Sequence, residues 1–312
     1  MFEVRTYTRN DSAAWNDFVG RSKQGTFLFD RRYMDYHADR FMDHSLMVYR
    51  RGSLYALLPA NACGETLHSH QGLTYGGLLT SKKTTAEEVC QTFAAINSHL
   101  QAEGFNHIVY KAMPWIYHRL PAEEDLYALT QVCKAQLLTR EVSSTIVLDS
   151  RLPFAESRKS GLRKAQREGI CVSESHDLNA FWNILNSNLH NKYGTAPVHS
   201  LAELQLLQSR FPKQIRLFMA SKNGTPLGGT LLYLTPQVVH TQYISASPEG
   251  KRLGALDAIF DVLINQMAWQ QRYFDFGKST EEQGRRLNAP LIFQKEGFGG
   301  RGVCYDTYEW RL

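Results

Sequence analysis

Residues 240–260 read HTQYISASPEGKRLGALDAIF. The opening residues continue a β-branched run from Val238, which predicts a strand over Val238–Ile244. Ser245–Gly250 then form a polar loop. Leu256, Ile259, Phe260, Leu263 and Met267 recur three and four apart, which predicts one helix over Gly254–Trp269. Where a strand feeds a helix this way, the first-turn amides face outward and attract anions. Lys251 and Arg252 stand beside those amides, and Gly254 and Ala255 leave room for close approach. The junction is therefore a candidate pyrophosphate site. The competing reading is a charged loop before a small-residue helix start.

Upstream, Ile215–Ala220 and Leu227–Leu234 read as strands joined by the tight turn Asn223-Gly224. Helices are expected over 178–192 and over Ser200–Arg210, where Ser200 and Glu203 have capping-box spacing. The segment Arg151–Ile170 carries six basic residues against Glu156 and Glu168, and reads as a basic helix ended by Gly169. Downstream, Tyr273–Phe276 is a strand, and Phe293–Trp310 a turn and a last strand.

The first half runs in a similar order. Ser12–Val19 is a helix, and Asp30 caps a second helix through Phe41. Ser45–Tyr49 and Leu54–Pro59 form a hairpin. Residues 61–80 are irregular and rich in glycine. Thr85 and Glu88 open another helix, Gly104 stops it, and Asn106–Lys111 is a strand. A short helix, Glu123–Leu129, and two strand-like runs, Gln136–Glu141 and Ser144–Leu148, follow. Composition shifts near 149–155. The chain thus reads as two copies of one α/β unit, 1–150 and 151–312.

The 312 residues carry a formal charge of +5, an excess that suits an anionic partner but is weak for a general nucleic-acid binder. Five cysteines, at 63, 90, 133, 171 and 304, are widely spaced without a CxxC, as expected of reduced thiols in a cytoplasmic protein. No secretory signal opens the chain, and no apolar run reaches the length of a membrane span. Gly277-Lys278-Ser279-Thr280 lacks the glycine that a phosphate loop needs five positions earlier, where Arg272 stands. Asp275-Phe276-Gly277 has no kinase catalytic loop before it. Cys63, His68 and His70 lack an evident fourth metal ligand, so no metal is expected.

Four stretches, the first within the opening one, carry a resemblance. Glu249–Ala255 resembles the pyrophosphate-binding turn of the GNAT acyltransferase superfamily, Arg/Gln-x-x-Gly-x-Gly/Ala. Lys251 takes its first position and Gly254 its central glycine, while Leu256 departs from its small last residue. GLRKAQREGI (161–170) resembles the R-x-x-[IL]-R-K-A-x-x-x-G-[IV] segment of the FemABX-like branch. YFDFGKST (273–280) and Phe293–Gly299 are similar to that branch's late strand and its F-K-x-x-[FW]-G ending, with one extra residue. Relatives of this kind include BioF2-like acetyltransferase-domain proteins and bacterial enzymes of cell-envelope biogenesis that add amino acids to peptidoglycan precursors.

The resemblance implies an α/β (α+β) fold of two tandem GNAT-like domains, each a mixed, mostly antiparallel sheet flanked by helices. It implies transfer of an acyl or aminoacyl group to an amine. The donor would be acyl-CoA as cosubstrate, or an aminoacyl-tRNA; the acceptor would be a small-molecule or peptide amine. Peripheral membrane contact is compatible with it. The alternative is a noncatalytic, degenerate domain pair that binds a ligand. Within the enzyme reading Asp275 is the candidate base or acceptor-orienting group and Tyr243 the candidate acid. Lys251, Arg252, Gly254 and Ala255 would hold the donor. His70, Tyr75, Lys278 and Lys295 would meet substrate.

Overall fold

The computed structural model describes residues 2–194 and 197–312. The chain divides into two compact units: residues through Val142 with Thr280–Arg286 and Cys304–Leu312, and Ser143–Ser279 with Leu287–Val303.

In the first unit, Phe2–Thr6, Leu46–Arg50, Ser53–Leu58 and Leu79–Thr80 form an antiparallel sheet in that spatial order. Further strands include Asn61–Cys63, Thr66–His68 and His107–Lys111, which also pairs with the tail strand over Thr307–Arg311. The helix Ala86–Ala102 starts where the sequence places it. Thr85 accepts from the Glu88 amide, and the Glu88 carboxylate accepts from the Thr85 amide. Its stripe Val89, Phe93, Ile96 and Leu100 is buried with Tyr110 and Trp310.

Three expectations for this half are revised. Residues 61–80 are partly ordered into short strands. The two runs between Gln136 and Leu148 are one strand, Gln136–Val147. Asp30 does cap a helix, but only Arg31–Met34, which tightens into a 3-10 turn at Asp35–His37. The buried Arg31 guanidinium ties this segment down, at 2.6 Å from Asp35 and 2.5 Å from Asp43.

In the second unit the elements are β1 (Gln136–Val147, entering from the first unit), α1 (Glu156–Arg167), β2 (Cys171–Ser175), α2 (Leu178–Tyr193), α3 (Leu201–Arg210), β3 (Ile215–Lys222), β4 (Thr225–Leu234), β5 (Val238–Ala246), α4 (Pro248–Leu253), α5 (Ala255–Asp261), β6 (Tyr273–Lys278) and α6 (Ala289–Gly297). The sheet order is β2-β3-β4-β5-β6-β1, antiparallel except for β5 beside β6. Phe260, Phe274, Phe276 and Phe298 centre its core.

The helix expected from Gly254 does start there, as α5, but it ends short of Trp269, and a further short helix, α4, precedes it where a polar loop was expected. Ser247 accepts from the Gly250 amide and starts α4 at Pro248; Gly254, at φ 79°, breaks the chain before α5. A π-turn, Val262–Gln266, ends the run at Met267. The break follows from close helix packing. A Cβ on Gly254 would lie 2.3 Å from the Gly161 carbonyl oxygen of α1, and one on Gly161 would lie 2.2 Å from the Asp257 carboxylate. Arg158 and Asp257 bridge the same helices at 3.1 Å. Gly254→Ala is expected to destabilise the protein by about 2 kcal/mol or more, since it combines a positive φ with a backbone clash. A lower urea midpoint with an unchanged slope would show it.

Candidate functional site

Strands β5 and β6 pair in parallel only from Val238↔Tyr273 to His240↔Asp275. Beyond this point β5 bulges, its register against β4 slipping between Thr241 and Tyr243. A bulge bends its strand, and here β5 leaves β6. The opening is a cavity of about 220 Å³ within the second unit. Ile244 and Ser245 of β5, Lys251 of α4, Phe276 of β6, and Leu291 and Lys295 of α6 line it. Most of its wall is apolar, with a few polar groups converging, as small-molecule sites usually are. A larger opening of 1030 Å³ lies in the first unit near His107 and Glu309, but none of the candidate residues line it.

Lys295 is the buried cation of the cavity wall, only 5% exposed. Its Nζ donates to the carbonyl oxygens of Gly277 at 2.8 Å and Lys278 at 2.9 Å. An ammonium has three N–H groups, and the third has no protein partner among the described residues. Gly277 takes φ 73°, a conformation glycine adopts without a Cβ penalty, and this turn presents both carbonyls. Burial pushes the Lys295 pKa down to about 8, against the pull of the Asp275 charge.

Asp275 is fully buried at the pairing end of β6. One carboxylate oxygen accepts from the Ser143 hydroxyl and from Thr145 Oγ1 at 2.7 Å. The other accepts from His240 Nδ1 at 2.8 Å and from the Gly277 amide at 3.3 Å. Burial alone would raise its pKa. The His240 bond and charge, with the two hydroxyls, outweigh that and hold it below the ordinary value.

Tyr243 lies on β5 past the bulge, its hydroxyl 2.7 Å from His199 Nδ1. Burial raises its pKa. Lys251 donates to Asn188 Oδ1 at 3.0 Å, and Asn188 Nδ2 donates at 2.6 Å to both Ser245 Oγ and the Ala246 carbonyl. One α2 side chain thus ties the end of β5 to the α4 lysine.

Of the expected donor-holding residues, only Lys251 reaches the cavity. Arg252 is exposed and faces Glu249 at 3.4 Å. Gly254 and Ala255 are buried, with α1 against Gly254. Lys278 is exposed, and its contribution is the carbonyl that holds Lys295.

His70 and Tyr75 belong to the first unit. Tyr75 donates to Thr26 Oγ1 at 3.2 Å and packs against Phe29 and Tyr117 in the core. His70, at φ 67°, is stacked on His37, with ring centroids 5.2 Å apart. Burial pushes its pKa down to about 3. Among the described residues no group of His, Cys, Asp or Glu has the arrangement of a metal site, and no helix is long and apolar enough to cross a membrane.

The sequence reading missed Asn188, His240 and the Ser143–Thr145 pair. His240 was within the opening stretch, but its partner lies 35 residues away, and Ser143 and Thr145 lie 132 and 130 residues from Asp275.

Residues 155–283 match the family model of the acetyltransferase (GNAT) domain. Solved structures similar to the whole chain include FemX, at 10% identity and a TM-score of 0.67, covering 99% of this chain and 97% of that one. Another is the C-terminal domain of a putative lysylphosphatidylglycerol synthetase from Agrobacterium fabrum, at 11% identity and a TM-score of 0.62, covering 96% and 91%. A third is a tandem GNAT protein from the clavulanic acid biosynthesis pathway, solved without AcCoA, at 10% identity and a TM-score of 0.53, covering 100% and 98%. Comparison with curated proteins gave no match. At these identities the structures establish the fold alone, tandem GNAT-like domains, while residues 155–283 match the GNAT domain model.

Proposed function

We propose that the protein is an N-acyltransferase, moving an acyl or aminoacyl group from a phosphate-bearing carrier to an amine. The observation that carries this reading is the parting of β5 and β6 beyond His240 and Asp275. It opens the 220 Å³ cavity, which is lined by residues of the segment that matches the acetyltransferase domain together with residues of α6 and Phe298 beyond it. The donor's carbonyl end would enter this slot. Lys251 at its rim would meet the carrier's phosphate.

The neutral acceptor amine attacks the donor carbonyl, forming a C–N bond and a tetrahedral oxyanion. The spare Lys295 N–H is a preorganised donor for that charge in a largely apolar pocket. Collapse breaks the carbon–sulfur or carbon–oxygen bond to the carrier. Tyr243, backed by His199, would give the departing atom a proton, and solvent would take the one lost by the amine. Asp275 is given no base role, because four donors already occupy its oxygens.

Two positions for the carrier phosphate fit differently. An acyl-CoA with its pyrophosphate at Gly254–Ala255 would need space that α1 fills, and the Gly250 amide is already used by Ser247. A carrier phosphate at Lys251 has no such obstacle, and both acyl-CoA and aminoacyl-tRNA remain donors of that kind. The test is thermal unfolding with CoA, acetyl-CoA, longer acyl-CoAs and a charged tRNA. A ligand at a hundredfold excess over its Kd should add about 2.7 kcal/mol, and Lys251→Ala should reduce the shift. A shift with one class names the carrier. No shift with any of them would sink the acyl-transfer reading at this cavity.

A further inference from the structure

We propose that the buried Asp275–His240 pair is a positioning device for Lys295. It acts through the Gly277–Lys278 turn and leaves substrate untouched. The inference rests on the assignment of Lys295 to the cavity chemistry, but its geometry stands by itself.

The chain of contacts is continuous. Ser143, Thr145 and His240 fix the Asp275 carboxylate from β1 and β5. Asp275 in turn accepts from the Gly277 amide at 3.3 Å, two residues ahead on its own strand. The His240 ring also packs on this turn, with Cε1 3.3 Å from where a Gly277 Cβ would stand. A side chain there would crowd the imidazole as well as disfavour φ 73°. Past the glycine, the carbonyls of Gly277 and Lys278 receive the Lys295 ammonium.

A carboxylate that is buried and held by four donors is costly to maintain merely for packing, since apolar residues of similar volume would often be as stable. Here it fixes the one stretch of β6 whose register against β1 is broken, between Asp275 and Lys278. That break frees the turn's carbonyls from the ladder and turns them toward α6. The arrangement explains how an ammonium is kept at a cavity wall with two N–H groups held and one left over. The charge of Asp275 also favours the protonated form of Lys295. The groups facing that ammonium are accordingly two carbonyls and, one layer behind them, the Asp275–His240 pair.

The experiment is the pH dependence of Lys295 labelling by an amine-reactive trinitrobenzene sulfonate, followed by peptide mass spectrometry on the free protein. No donor, acceptor or turnover is involved, so a failure of the acyl-transfer reading would leave this result interpretable. In the native protein the labelling midpoint should fall near pH 8. In Asp275→Asn, which keeps the shape and removes the charge, it should move down by about half a unit or more. His240→Asn, whose amide can replace the Nδ1 donor, should stay close to the native midpoint, whereas His240→Leu should not.

Thr145→Val removes a single hydroxyl bond and should give a smaller shift in the same direction. It decides the matter should Asp275→Asn fail to fold. A purely structural cluster would lower the unfolding midpoint in these variants and leave the Lys295 profile unmoved. That pattern, in a folded Asp275→Asn or Thr145→Val protein, would overturn the proposal.

Discussion

Lys295→Met is expected to remove most of the acyl-transfer activity while leaving the protein folded with little change in stability. The activity side follows from where the ammonium stands. Its third N–H belongs to a buried ammonium in a largely apolar cavity wall. Removing one preorganised oxyanion donor typically costs about 10²–10³ in kcat. Methionine keeps the length and apolar stem of lysine, so the loss reports the charge and its hydrogen bonds.

The stability side follows from linkage. The folded-state pKa near 8 lies below the ordinary 10.5, so the folded protein binds this proton less well than the unfolded chain does. Between these two values the unfolded state holds more protons, and stability therefore rises with pH. At pH 8 and below, the cost of keeping the ammonium buried is constant, at about 3 kcal/mol for a shift of this size. Methionine relieves this cost but leaves two carbonyls without their donor, which returns about 1–3 kcal/mol each when no water reaches them. The two effects nearly cancel.

The same pKa sets the activity profile. The ammonium is lost as pH rises through about 8, so kcat should fall on the alkaline side in the native enzyme. A Lys295→Met protein with native turnover and a native alkaline limb would remove the lysine from the mechanism.

The elements were legible where local chemistry decides them. Thr85–Glu88 and Ser200–Glu203 form the reciprocal caps that their spacing implies. Asn223-Gly224 turns β3 into β4, both residues taking positive φ. The apolar stripe of Leu256 to Leu263 correctly marked a buried helix face. It could not show that a second short helix, α4, runs up to Gly254 from the other side, nor that Gly254 packs on a glycine of α1 ninety-odd residues earlier in the chain. Periodicity reports which side of an element is apolar, and it is blind to what packs there.

The site was legible in part for the same reason. Lys251 and Lys295 fall in stretches that resemble a family pattern, and the structure brings both to one cavity. Gly254 was read as room for a ligand. The room is real, but a helix backbone fills it. Asp275 was singled out because it ends a strand. Its four donors come from two other strands and its own turn, and no pattern in the sequence links these positions. Asn188 lies on a helix that reads as an ordinary amphipathic one, and only the fold shows that its amide spans Ser245, Ala246 and Lys251.

Acid should weaken the first unit through His70 as the pH falls from about 6.5 toward 3. The imidazole is 3% exposed, it stacks on His37, and its Nδ1 has no hydrogen-bond partner. Burial, followed by the charges of His37, Lys111 and Arg31, pushes its pKa from 6.5 to about 3. The folded unit therefore keeps it neutral, while the unfolded chain protonates it near the ordinary value. The unfolded state binds the extra proton between these limits, so stability is complete above about 6.5 and falls as pH drops toward 3. Two pH units below the unfolded value, at about pH 4.5, the loss is about 2.7 kcal/mol. His118, held down to about 4 mainly by burial, adds a loss of the same sign. Asn suits position 70 because it tolerates the left-handed conformation, and it does not titrate. His70→Asn should begin somewhat less stable at pH 7, for want of the stacked ring, yet lose less on acidification. Urea unfolding of both proteins at pH 7, 5.5 and 4.5 would show the two stability curves converging as the pH falls. Parallel curves would mean that another group carries the acid sensitivity.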